Sequence, residues 1–286
     1  MKGGLQANSK QGHLRWQERA GFTVVEVMIV LAVTGLLFVS AATLISGKQN
    51  QAAFQQGMQQ LQSQMEQIIN DVATGFYPNL SNFSCKRSGS SLVISGTAAA
   101  QGTNGDCLFL GKTVRFGSGV TGSTTPEQFA TFSLTGLRAD ASGNQIMSLA
   151  NTVATVIPTS TTTTPLEGGL TTAGMWYNNN KANKISALAF VSTLGQVNSS
   201  GVLSGTQQVN IVPITSTTLT QTTATTIGRT QTVLRSAAAI VNPSGGVEIC
   251  FASGGTNQSG LITIGNNGTS GRELGVTLAI KAGSSC

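Results

Sequence analysis

The 286-residue chain is poor in charge, with 9% Asp, Glu, Lys and Arg, rich in Gly, Ser, Thr and Asn, and formally +6. Residues 1–21 hold Lys2, Lys10, Arg15 and Arg19 against Glu18, so half of that excess sits there, and the +3 beyond it does not by itself predict nucleic-acid binding. The only histidine, His13, lies in the same stretch; residues 22–286 have none, which excludes Ser/His/Asp and Cys/His catalysis and an imidazole metal ligand from that part.

From Phe22 to Ile45 the chain is apolar with a single charge, Glu26, over more than the roughly 20 residues a helix needs to cross a bilayer. A carboxylate within hydrocarbon costs on the order of 2.5–3.5 kcal/mol, so Glu26 calls for a partner or a function. Cleavage between Gly21 and Phe22 would supply one, because it places a new α-amino group one helical turn from Glu26, and in an assembly the amine of one copy can neutralise the carboxylate of the next. Lys10, Arg15 and Arg19 flank the run on its N-terminal side, which orients the N-terminus toward the cytoplasm. A secretory signal would have a short apolar core with its cleavage site after it, whereas this run is long and its candidate site lies before it. A plain anchor would leave Glu26 unexplained.

A basic leader ending in Gly21, followed by Phe22, Thr23 and Glu26 at the head of an apolar helix, resembles the class III signal of type IV pilins and type II secretion pseudopilins. The resemblance implies that a prepilin peptidase cuts after Gly21 and methylates Phe22, and that Glu26 registers each subunit as it joins a filament. It implies as partners the peptidase, other pilin subunits, the inner-membrane assembly platform and the membrane. The protein is then a single-pass membrane protein with a cytoplasmic N-terminus before processing, and part of an extracytoplasmic filament after assembly. Many major pilins carry a helix-bending proline in the second half of the run; this one has none, which points to a minor pilin or pseudopilin.

Lys48 to about Val72 is Gln-rich and proline-free, and Phe54, Met58, Leu61, Met65, Ile68 and Val72 recur at steps of four and three, the spacing of one helix face. Gly47 and Gly57 weaken that helix by up to about 1 kcal/mol each and are read as flexible points. Gly75 and Pro78 end it. The expected organisation is a leader over 1–21, an N-terminal helix over 22–75 (transmembrane over 22–45, amphipathic over 48–72) and a β-rich extracytoplasmic head over 76–286.

Short β-like runs separated by Gly, Asn and Ser fill the head: Ser91 to Ser95, Cys107 to Phe116, Phe129 to Leu134, Ile185 to Ser192, Gln208 to Ile214, Val233 to Val241, Val247 to Ala252, Leu261 to Ile264 and Leu274 to Lys281. The fold class is therefore α+β, a long membrane-spanning helix followed by an antiparallel sheet or sandwich, with no further helix expected after residue 75. Thr159 to Thr164, between two prolines, reads as an exposed loop; Thr215 to Thr232 reads as a β-edge or a long loop. The last strands and closing cysteine are similar in pattern to the C-terminal end of the GspH/FimT minor pilin group.

Four cysteines, all beyond the apolar run, suit disulfides in an oxidising compartment and allow three connectivities. Cys85 with Cys107 and Cys250 with Cys286 are favoured, since each pair closes a short loop beside apparent strands; each bridge would stabilise by roughly 3–4 kcal/mol. No CxxC spacing supports zinc, and neither a metal nor a cofactor is expected.

Three roles remain for such a protein: a structural minor pilin or pseudopilin, a tip pilin that holds DNA for uptake, or an adhesin that touches a host surface. Phosphate contacts would need clustered cations. The candidates are Lys86 with Arg87, Lys112 with Arg115, Lys181 with Lys184, and Arg272 with Lys281. Trp176 and Tyr177, beside Asn178 to Asn180, are the candidate contact patch for adhesion.

Overall fold

The computed structural model describes residues 22–75, 83–96, 105–117, 127–192, 209–216, 223–266, 274–283 and 286. Two compact units are distinguished, Met1–Ser46 and Gly47–Cys286. Helix α1 runs from Val24 to Ala73 and so belongs to both.

In the first unit, Val24–Ala41 is an apolar stretch of 18 residues with mean hydropathy 2.4, and its side chains are all exposed. It is long and apolar enough to cross a membrane. Nothing in its pattern singles out one face, because apolar residues occupy every side of the helix.

In the second unit the same helix carries the predicted stripe. Phe54, Met58, Leu61, Met65, Ile68 and Val72 are all buried, joined by Ile69, in one core with the sheet described next. Gly57 is not a flexible point. A Cβ there would lie 2.5 Å from the carbonyl oxygen of Glu167, and one on Gly168 (φ +70°) would lie 2.2 Å from that of Ala53, so helix and loop meet backbone to backbone. The helix ends where Gly75, at φ 66°, donates its N–H to the Val72 carbonyl, a left-handed C-terminal turn that glycine adopts without strain.

The strands that follow are β1 (Ser84–Ser88), β2 (Ser91–Ser95), β3 (Cys107–Phe116), β4 (Gln128–Leu137), β5 (Thr155–Val156), β6 (Thr162–Pro165), β7 (Leu170–Tyr177), β8 (Asn180–Ser192) and β9 (Val209–Thr215). Helix α2 (Thr223–Leu234) then precedes β10 (Val247–Ser253), β11 (Gln258–Asn266) and β12 (Leu274–Ala282). Strands β1 and β2 form a separate hairpin. The other ten make one sheet in the order β12-β11-β10-β7-β8-β3-β4-β5, with β6 also on β4 and β9 also on β8, every pair antiparallel.

The head is thus one large antiparallel sheet rather than a sandwich of two. The reason is β8, 13 residues long: it pairs with β7 through Asn180 and Lys184, and with β3 and β9 beyond Ile185, stitching two groups of strands together. Its run Ile185–Val191 is buried throughout, as expected of a strand covered on both faces. One face packs on the α1 stripe through Val114, Phe116, Leu188, Phe190, Ile249 and Ile262. The other carries a second core of Leu110, Phe132, Leu134, Val191, Val212 and Ile214 against Leu234 of α2.

Helix α2 corrects the expectation for Thr215 to Thr232, and for a strand over Val233 to Val241. Threonine is a poor helix former, but Thr226, Thr230 and Leu234, four residues apart, are all buried, and tertiary burial outweighs propensity. Thr162–Pro165 is likewise strand β6 rather than a loop, though exposed as expected, since β4 supplies its hydrogen-bonding partner over Gln128 to Thr131.

Candidate processing and assembly site

Thr23 precedes the first helical residue, and its Oγ1 accepts a hydrogen bond from the Glu26 N–H at 3.3 Å. Thr23-Val24-Val25-Glu26 is therefore a capping-box sequence, in which the N-cap hydroxyl satisfies one of the helix's orphan donors. Glu26 stands in the first turn, where the helix dipole favours a negative charge. The T-x-x-E spacing was available in the sequence, and the role of Thr23 follows from it.

Phe22 is 78% exposed, the Val24–Ala41 side chains are exposed as well, and Glu26 is the only acid on that stretch. A helix that presents an unbroken apolar surface with one carboxylate at its capped end can bury that surface only in lipid or against other chains. Gly21 and the basic leader lie outside the described residues.

In the head, the structure joins Cys85 to Cys107 (Cα–Cα 6.3 Å) and Cys250 to Cys286 (5.9 Å). The first ties the β1–β2 hairpin to the start of β3, where buried Cys85 packs with Phe83 and Ile157. The second ties β10 to Cys286. Among the described residues no group of three or more His, Cys, Asp and Glu side chains comes together.

Among the described residues, three of the candidate phosphate-binding cations are buried or already engaged. Arg115 is wholly buried beside Ala130 and Ala187 on the α2 side of the sheet, and burial lowers its pKa from the ordinary guanidinium value. Arg115 therefore cannot meet a phosphate in this fold. Lys112, on the opposite face, pairs with Asp71 of α1 at 2.5 Å. Arg87 donates to the carbonyls of Gly89 (2.8 Å), Ala139 (3.1 Å) and Asp140, clipping the β1–β2 hairpin to a neighbouring turn. That turn is held by Asp140, whose carboxylate accepts from the Asn144 backbone and side chain and from Ser142, and these bonds keep its pKa below the usual carboxylate value. Lys86 and Lys281 are exposed on β1 and β12; Arg272 lies outside the described residues.

Trp176 is not an open stacking platform. It is 8% exposed, its ring lies against Gly174, its Nε1 donates to Glu248, and the Lys181 ammonium sits 5.5 Å from its ring centre. Lys181 also donates to the Cys286 carbonyl. Tyr177 remains half-buried, at the start of a two-residue turn in which Asn178 and Asn179 are both left-handed, the geometry of a tight β-hairpin.

Residues 16–42 match the Prokaryotic N-terminal methylation motif, which covers the leader junction, Thr23, Glu26 and the exposed apolar stretch. The match supports a type IV pilin-like precursor. The motif implies processing by a prepilin peptidase and assembly with other pilins, and it points to a structural protein. No curated protein and no solved structure matches the chain.

Proposed function

We propose that the protein is a minor pilin or pseudopilin: cut after Gly21, methylated on Phe22, and assembled through its apolar helix into an extracytoplasmic type IV filament that displays the β head. The observation that carries this reading is the exposed, uniformly apolar Val24–Ala41 with Glu26 as its single charge, inside the matched motif. In the assembly, the amine of Phe22 on one subunit meets Glu26 of its neighbour, and the cost of placing either charge in hydrocarbon sets the register. The head acts as a structural and contact domain rather than as an enzyme, since residues 22–286 lack histidine and the sequence shows neither a nucleophile motif nor a phosphate loop. Retention of DNA is not favoured: Arg115 is buried and Lys112 is ion-paired.

The test is Glu26→Gln. Glutamine keeps the capping box, so the change removes the charge and leaves the helix end intact. Membrane insertion and cleavage should persist, while incorporation into sheared filaments should be lost. Normal incorporation of Glu26→Gln would remove the registration role.

A further inference from the structure

The head contains an open cleft of about 500 Å³ that the pilin reading leaves unused. It lies where β8 changes partners. Lys184 pairs with Trp176 of β7, whereas Ile185, the next residue, pairs with Thr215 of β9, and the Ser216 N–H donates to the Lys184 carbonyl at 3.1 Å. Tyr177, Asn183, Lys184, Thr215, Ser216 and Arg229 line it. All belong to the Gly47–Cys286 unit.

Two features set the chemistry of this cleft. Its charged lining residues are both cations, Lys184 and Arg229, with no carboxylate on the wall. Among the described residues the Lys184 ammonium makes no ion pair, and Glu248, in the same cross-strand row through Trp176, is engaged by the indole N–H. Arg229 is fixed from α2 by a 3.1 Å bond from Nη1 to the Thr215 carbonyl, which holds the guanidinium; among the described residues its remaining N–H groups meet no other acceptor. Around this pair the wall carries hydroxyls and the Asn183 amide, which also donates to the Tyr177 carbonyl at 3.4 Å, with Ala182 and the Tyr177 ring as its apolar part. The cleft is open rather than enclosed, so a ligand lies along its polar wall with one side in water. Two cations are too few to follow a nucleic-acid backbone, whose affinity grows with each phosphate neutralised.

We propose that this cleft binds an acidic saccharide, a hydroxylated ring bearing one oxyanion. Arg229 and Lys184 take the anion, and the side chains of Asn183, Thr215 and Tyr177 match ring hydroxyls. The shared chemistry is an oxyanion on a sugar, whether carboxylate or phosphate.

The experiment is saturation-transfer NMR of the full chain in an uncharged detergent at low salt, titrated with glucuronate, glucose 6-phosphate and glucose. Saturable binding of one or both acidic sugars, at least about tenfold tighter than glucose, is expected; tenfold corresponds to about 1.4 kcal/mol. If glucuronate is the tighter the source is a uronate, and if the phosphate is tighter it is a sugar phosphate; both support the site. Lys184→Gln and Arg229→Gln should each weaken binding about tenfold, and Lys281→Gln, on a distant strand, should not. Both glutamine variants, at exposed residues, should keep the parent's melting temperature, and Lys184→Arg, which keeps the charge, should retain most of the binding. Equal affinity for glucose, no binding of any of the three, or full affinity in the double glutamine variant would overturn the proposal.

Discussion

Helix α1 contains two stretches built on different rules. Val24–Ala41 is apolar on every side and exposed on every side. From Phe54 to Val72 apolar residues keep to one face, and that face is buried while Gln and other polar residues take the rest. Total hydrophobicity therefore does not decide which part of a helix a fold buries; periodicity does. A uniformly apolar stretch is matched to a solvent that is apolar all round, and a striped one to a single core.

The comparison is broken most directly at matched aromatic positions. Phe54→Ala empties a fully buried site and should cost the head about 3–5 kcal/mol in urea unfolding of the detergent-solubilised chain, whereas Phe38→Ala, at a residue 78% exposed, should leave head stability unchanged. Equal losses would mean that the two stretches share one core.

Matched glycines sharpen it. Gly57→Ala should destabilise by about 1–3 kcal/mol in spite of alanine's better helix propensity, because its Cβ would collide with the Glu167 carbonyl. Gly35→Ala has nothing within 4 Å and should be neutral or stabilising by up to about 1 kcal/mol. A smaller effect is expected at the ion pair on the polar flank of the stripe. Lys112→Met should cost about 0.5–1 kcal/mol, with a double-mutant cycle against Asp71→Asn recovering most of it.

The smallest change belongs to the turn at Asp140, within the head. Its folded pKa is lowered by Asn144, so its contribution is present above the ordinary value of 3.8 and is lost as pH falls through the folded value. Asp140→Asn should lower the melting temperature slightly near neutrality, where that contribution is present, and flatten the acid-side slope, so that variant and parent converge as pH falls through the folded value.

Much of the fold was legible because its periods are clean. The steps of four and three from Phe54 to Val72 give the buried stripe, and the runs at Ser91, Cys107, Ile185 and Val247 give strands. What escaped was set by partners. Thr223–Leu234 reads as β or loop because its buried positions include threonines, Thr226 and Thr230, whose preference is overruled by the core beneath them. Thr162–Pro165 becomes a strand only because β4 lies beside it.

The spacing of the basic pairs carries a signal of its own. On a strand, residues one or three apart face opposite sides, so Lys112 with Arg115, and Lys86 with Arg87, could not have formed one patch. Lys112 indeed meets α1 while Arg115 is buried on the other face. At the helix start, the T-x-x-E spacing is a readable signal for the Thr23 cap. Arg229 in the cleft had no such signal, since it is placed by a helix the sequence does not announce.

The most direct test of the account is intact-mass and N-terminal analysis of the protein from its native membrane, with and without the prepilin peptidase. The account predicts a mature chain that begins at N-methylated Phe22 when the peptidase is present and an uncut chain when it is absent. A chain uncut in both, or cut after the apolar stretch, would contradict it and leave the β head as an anchored or secreted domain.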